Sequence, residues 1–396
     1  MIVAFIFTHF LPNIGGTEIP LYYYARELVK RGHKVIVITA NALGYKPAKL
    51  PSTEIIDGIE VRRLRYWPVP FYKQFMFAPS LLKELLSLNV DVVVIFSLLP
   101  SFFLILPYIV MRLRGIPIVA YPQAHPRRSM YRGRFIYLLD YLFIRTIGIG
   151  MLKLADYVIA LSDEERNFYN KCGIRKVAII YEGVDHLPKH VTDEELSAFV
   201  KKYRLPSGKY IVTIGRIEKR KGLLTLIRAI PIVISEIPGA HLLIVGPDPN
   251  NLWPVYKDII DALKCSGHIH FLGMVTDREL VCIYRLAEVV VVPSHFEALS
   301  RVILEAFYYA KPVVTTYGIA IRNIASRGGI VVPVRDYMRL ARTLIKILRN
   351  PMLRRKLGEH GYKFANALTW HSRAELLEQI LLRVANKNER FYNCSH

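Results

Sequence analysis

Carboxylates and cysteines are both scarce in this chain, and each shortage excludes something. Asp and Glu number 32 against 54 Lys and Arg, a formal net charge of +22 over 396 residues. A balance so basic calls for an acidic partner: nucleic acid, an anionic membrane surface or a phosphorylated small molecule. Nucleic acid is the least supported, because no zinc-finger spacing, basic zipper or RNA-binding aromatic signature is present. The cysteines, Cys172, Cys265, Cys282 and Cys394, show neither metal-ligand spacing nor a disulfide framework, which suits a reducing cytosolic compartment. No D-x-D pair stands out as a metal site, and no metal is expected. A G-x-G-x-x-G fingerprint is also missing, so a nicotinamide site is not expected. The opening stretch MIVAFIFTHFLP has no charged n-region and no small-residue cleavage site. It reads as a first buried strand rather than a signal peptide.

What is present is a regular alternation of strand-like and helix-like segments, long enough for two domains. Residues 2–8, a helix from about Glu18 to Arg31 and a strand at Lys34–Thr39 make a βαβ unit, hence a parallel sheet. The intervening loop carries Gly15-Gly16 at the helix N-terminus, where a backbone can approach a ligand closely, although such a pair is also an ordinary turn. Val92–Met111 is nearly apolar throughout and of membrane-spanning length. Ser97, Pro100, Ser101 and Pro107 punctuate it, so a buried strand followed by an apolar helix is the expected form. Ser162 and Glu165 are placed to make a capping box for the helix from Asp163.

Cations and aromatics then interleave in two places. Arg62–Phe77 is one; Arg127, Arg128, Arg132, Arg134 and Arg145 among Tyr131, Phe135, Tyr137, Tyr141 and Phe143 are the other. Either fits a solvated face or an interface with aromatics at headgroup depth. Farther on, Tyr210–Ile214 ends in Gly215-Arg216, and Lys221-Gly222 precedes a helix. Two cations at a strand's C-terminal edge suit a leaving diphosphate.

The chain is organised around VVVVPSHFEALSRVILEAFYYAKPVV, Val289 to Val314. A β-branched run ends at Pro293-Ser294, a short loop carries Glu297, and an amphipathic helix containing Glu305 follows. The helix N-terminus offers free N–H groups to an anion. Alone, the two carboxylates also fit surface charge beside a helix start.

The frame P-S-x-x-E-x7-E-A, filled by Pro293, Ser294, Glu297, Glu305 and Ala306, resembles glycosyltransferase family 4, retaining enzymes of the GT-B fold. The likeness extends over nearly the whole chain: Arg114–Val119, Gly183-Val184-Asp185, Arg216 with Lys221, and Gly328–Pro333 match family segments in place. It implies an α/β protein with two Rossmann-like domains facing across a cleft. Residues 1–186 would form the first, acceptor-side domain and 187–373 the donor domain, with a helix at 374–390 packing back on the first. The resemblance further implies metal-independent transfer of a hexose or N-acetylhexosamine from a nucleoside diphosphate sugar, UDP or GDP foremost, with no other cofactor. The acceptor would be a lipid-linked sugar or growing surface glycan. Arg216, Lys221 and the N–H groups near Leu299-Ser300 would hold the diphosphate beside Gly215. Glu305 would take the ribose, Glu297 the donor sugar, and backbone around Met274-Val275 the base, with His125, Gly15 and Gly16 contributing from the first domain.

Departures are Glu182 for the usual Asn, and Glu297-Ala298-Leu299-Ser300 where E-G-F-G is common. The expected place is the cytoplasm, with the basic surface able to sit peripherally on the cytoplasmic face of a membrane. A catalytically silent GT-B membrane scaffold and a nucleotide-sugar epimerase are the alternatives.

Overall fold

Runs of β-branched residues bounded by Gly, Pro and Ser become parallel strands, because both faces of such runs can be buried. In the computed structural model, which describes residues 1–69, 75–98, 100–123, 134–297, 299–317 and 322–392, two main sheets result. The chain divides into two units: 1–183 together with 370–396, and 184–369.

The first unit contains β1 (Ile2–Ile6), β2 (Lys34–Ala40), β3 (Ala42–Leu43), β4 (Lys46–Pro47), β5 (Thr53–Ile56) and β6 (Ile59–Leu64). It continues with β7 (Trp67–Pro68), β8 (Met76–Phe77), β9 (Val92–Phe96), β10 (Ile118–Tyr121), β11 (Tyr157–Ala160) and β12 (Val177–Ile179). Its sheet runs β12-β11-β10-β9-β1-β2-β6-β5, while β3–β4 and β7–β8 are small separate ribbons. All pairs in that sheet are parallel except β5–β6. That hairpin turns on Asp57-Gly58, both at positive φ, the Asp-Gly chemistry of a tight hairpin. The strand β5 was not anticipated, although the Asp-Gly signal was there to be read.

The apolar run at 92–111 resolves into β9 and a helix at Phe102–Leu113. No helix among the described residues is long and apolar enough to cross a membrane. One expected cap is only half formed. Ser162 accepts the Glu165 N–H at 3.2 Å, but the Glu165 carboxylate takes the Leu161 N–H at 2.8 Å instead of returning to Ser162. Reciprocal capping boxes do form at Thr192–Glu195 and Thr276–Glu279.

The closing helix, Trp370–Tyr392, belongs to the first unit. Trp370 is buried, stacked on Tyr23 with centroids 5.0 Å apart and edge-on to Tyr24 at 5.4 Å. Arg31 and His33 reach Glu378 of the same helix at 2.9 and 2.5 Å.

The second unit holds β13 (Lys209–Ile214), β14 (Ala240–Val245), β15 (Ile269–Gly273), β16 (Ala287–Val292), β17 (Val313–Thr316) and β18 (Gly329–Val332). The sheet order is β15-β14-β13-β16-β17-β18, parallel throughout. Order reverses between β13 and β16, the switch point at which ligands bind beyond the strands' C-terminal ends in open α/β sheets. Val289 and Val291 of β16 pack with Leu226, Ile230 and Leu344 in one core. One face of the central strand is therefore packed before its loop begins.

Candidate active site

The C-terminal ends of β13, β14 and β15 are joined by backbone bonds that glycine N–H groups donate. The Gly215 N–H donates to the Val245 carbonyl at 2.8 Å, and the Gly246 N–H to the Gly273 carbonyl at 2.7 Å. A Cβ on Gly246 would stand 2.3 Å from the Gly215 carbonyl oxygen at a φ of +127°, so only glycine lets these ends close up. A similar demand fixes the next turn. Gly222, at φ +70°, lies where a Cβ would come 2.0 Å from the Pro293 carbonyl oxygen. The His295 N–H donates to the Arg220 carbonyl at 2.8 Å. Together these contacts clamp the 216–222 segment to the end of β16.

The clamp brings Lys221 and Glu297 together. Lys221 Nζ and Glu297 Oε1 form an ion pair, and the Ser294 hydroxyl donates to the same oxygen at 3.0 Å. Glu297 is only 5% exposed. Burial pushes its carboxyl up, but Lys221, with help from Arg220 and Ser294, outweighs burial and holds it below the usual carboxylate range. The carboxylate is thus charged at neutral pH, and the pair lies beside a cavity of about 20 Å³ that Gly215, Arg216, Lys221, Pro293 and Ser294 line. Arg216 is largely exposed, its Nε 3.2 Å from Glu218 Oε1.

Ser300 is buried at the N-cap of the Arg301–Tyr308 helix, although its hydroxyl makes no capping bond, and Leu299 is half-buried. Glu305, the fifth residue of that helix, is buried rather than presented at its mouth. The Tyr284 hydroxyl donates to Glu305 Oε2 at 2.7 Å, and His186 Nε2 lies 3.4 Å from Oε1. Burial raises the Glu305 carboxyl, yet His186, Arg301 and Tyr284 bring it below its ordinary value. Tyr284 stacks on Tyr309, centroids 5.0 Å apart. Met274 is exposed and Val275 half-buried just beyond Gly273.

In the first unit, Gly16 leaves open space where a side chain would be, whereas a Cβ on Gly15 would meet the Glu18 carboxylate at 2.4 Å. His125 lies outside the described residues, as do Arg127, Arg128, Tyr131 and Arg132 of the second cation–aromatic cluster.

The sequence reading did not assign roles to His186, Tyr284 or Tyr309, which come from three segments and meet only through the fold. Position alone offered one hint, that His186 directly follows Gly183-Val184-Asp185.

Two family models together match most of the chain. Glycosyltransferase Family 4 covers residues 14–186 and Glycosyl transferases group 1 covers 197–364. The chain is a family 4 glycosyltransferase. An uncharacterized glycosyltransferase of Methanocaldococcus jannaschii is 29% identical over 80% of each chain. A phosphatidyl-myo-inositol mannosyltransferase of Mycobacterium leprae is 30% identical over 52% of this glycosyltransferase and 54% of its own length. Among solved structures, the HepE protein of Anabaena, in complex with UDP-glucose, superposes with a TM-score of 0.76 at 17% identity, covering 97% of this chain and 100% of that one. The fold of this family 4 enzyme is GT-B, two Rossmann-like α/β domains with parallel sheets.

Proposed function

We propose that this glycosyltransferase moves a hexose or N-acetylhexosamine from a nucleoside diphosphate sugar, with retention and without a metal ion. The observation that carries the reading is the pairing of Lys221 with the buried Glu297 beside the cavity at Gly215, where the clamp of Gly222 holds a cation against the strand ends. Lys221 and Arg216 would neutralise the leaving diphosphate, with N–H groups at Leu299-Ser300 as further donors. Glu297 would orient the sugar hydroxyls. Glu305, already given one donor by Tyr284, would accept from the ribose, and backbone near Met274-Val275 would meet the base. His125 and Gly16 would contribute from the first domain.

In the step itself the anomeric C–O bond to the phosphate breaks as the acceptor oxygen bonds on the same face. The acceptor's proton passes to the departing phosphate oxygen, so no separate base is required. UDP is the first donor to try, since the HepE structure holds UDP-glucose, and GDP the second.

For the acceptor we favour a lipid-linked sugar or surface glycan at an anionic membrane face. The similarity to a phosphatidyl-myo-inositol mannosyltransferase supports this. So do Leu138, Leu139 and Leu142, exposed on the Arg134–Phe143 helix, with Ile147 just beyond it.

Thermal shift against UDP, GDP, ADP and their sugar conjugates in EDTA tests the donor reading. One nucleotide is expected to stabilise the protein, and less so the Lys221→Ala variant. Absence of any shift would remove the donor assignment; binding without turnover or donor hydrolysis would favour a silent scaffold.

A further inference from the structure

A second cavity in the 184–369 unit, about 690 Å³, shares no lining residue with the one at Lys221. Its volume lies within the range of small-molecule sites, which run from roughly 300 to 1,000 Å³. Three segments wall it: the stretch 189–194, the end of the Asp277–Leu286 helix, and Tyr309 with Lys311. Lys189, Arg285 and Lys311 supply positive charge, while Asp193 and Glu194 supply carboxylates.

The cations are unevenly satisfied. Arg285 donates to the Val191 carbonyl at 3.1 Å and pairs with Asp193. Lys311 Nζ donates to the Arg285 carbonyl at 3.0 Å. Burial, then Arg285 and Arg354, hold the Lys311 amine below the ordinary lysine range, and Glu288 opposes them only in part. Lys189 and His190 are exposed and have no hydrogen bond or ion pair among the described residues. Tyr309 spends its hydroxyl on the Pro188 carbonyl at 2.6 Å, and Tyr284 is stacked against its ring.

A purely cationic cavity would suit a bare anion. Here cations alternate with carboxylates around a held aromatic ring, which suits a molecule carrying both a phosphate and hydroxyls. We propose that this cavity binds a phosphorylated sugar or polyol. Lys189, His190 and Lys311 receive the phosphate, Glu194 accepts from hydroxyls, and the carbon skeleton lies against the Tyr309 ring. The site is independent of the donor reading, although Tyr309 and Tyr284 connect its wall to Glu305.

Hydrogen–deuterium exchange of the full chain with millimolar glucose 6-phosphate tests this. Protection is expected at 188–194 and 309–311, with none from glucose. It should persist in Lys221→Ala, which separates it from any phosphate held in the donor site. In Lys189→Glu/His190→Ala, which removes two exposed groups without partners, half-saturation should weaken about tenfold or more, the scale of a lost charge-assisted contact. Vesicles carrying phosphatidylinositol distinguish a lipid-borne head from a soluble one; protection of the same peptides by either supports the site. No protection, protection confined to 216–222 and 293–297, or an unchanged response in the double variant overturns it. Equal protection by inorganic phosphate overturns the sugar or polyol assignment.

Discussion

Lys221 and Glu297 depend on each other in two currencies, stability and chemistry. Lys221→Ala leaves a carboxylate that is 5% exposed with Ser294 as its remaining donor. We expect a loss of roughly 2–3 kcal/mol, less than for a wholly buried pair because Lys221 is partly solvated. Adding Glu297→Gln should restore much of that stability in chemical denaturation, while transfer stays abolished in a product assay. Recovery of transfer with stability would show the pair to be structural. The Glu297 carboxyl is depressed, so its contribution is fully present above its ordinary value of 4.5 and is lost as pH falls through the lower folded value. At this scale the sequence was informative where chemistry followed spacing. Proline, serine and two glutamates at fixed intervals pointed to Glu297, and a Lys-Gly pair after a strand pointed to Lys221. It was silent on Tyr284 and His186, because a buried carboxylate's partners are chosen by packing and leave no local pattern.

Strand ends and turns carry the next set of constraints. Gly246→Ala would drive a methyl into the Gly215 carbonyl at a φ that L side chains rarely adopt. A cost of roughly 2–4 kcal/mol is expected, read as a lower midpoint in urea, together with loss of nucleotide stabilisation. Gly16→Ala is the contrast: nothing lies within 4 Å of the added carbon, so the midpoint should hold, and any change should appear in turnover. A third test concerns His241 on β14 and His270 on β15, whose ring nitrogens lie 3.3 Å apart. Burial first, then neighbouring histidines, depress both rings below 6.5. Stability they support is complete above that value and declines as pH falls below it, since the unfolded chain takes up the protons first. Melting curves between about pH 7 and about pH 5 should show a smaller decline for His270→Gln than for the parent; equal declines would exclude the cluster as the cause. Elements of this kind were largely legible, because parallel strands advertise themselves as unbroken apolar runs. Hairpin strand β5 escaped because its alternation is short and half-exposed, and the half-formed cap at Ser162 because a carboxylate's choice between two adjacent N–H groups is not encoded in spacing.

Over the whole molecule the charge imbalance makes its own prediction. With a net charge of +22, the chain should sediment with anionic vesicles at low salt and release as ionic strength passes about 0.15 M, where the screening length is about 8 Å. Retention at high salt would shift the weight to the exposed leucines at 138, 139 and 142; no binding at any salt would remove the membrane reading. The two-sheet architecture was readable from alternation and family likeness together, and the boundaries expected after 186 and 373 lie near the division after Gly183 and before Trp370. The first unit is interrupted after Gly183 and resumes only at Trp370. During synthesis, therefore, the ribosome delivers the whole 184–369 unit before the helix that buries Trp370 against Tyr23 and Tyr24 exists. The unit carrying Lys221 and Glu297 can finish folding while its older neighbour still waits with an uncovered aromatic seat, so the part made first is the part completed last.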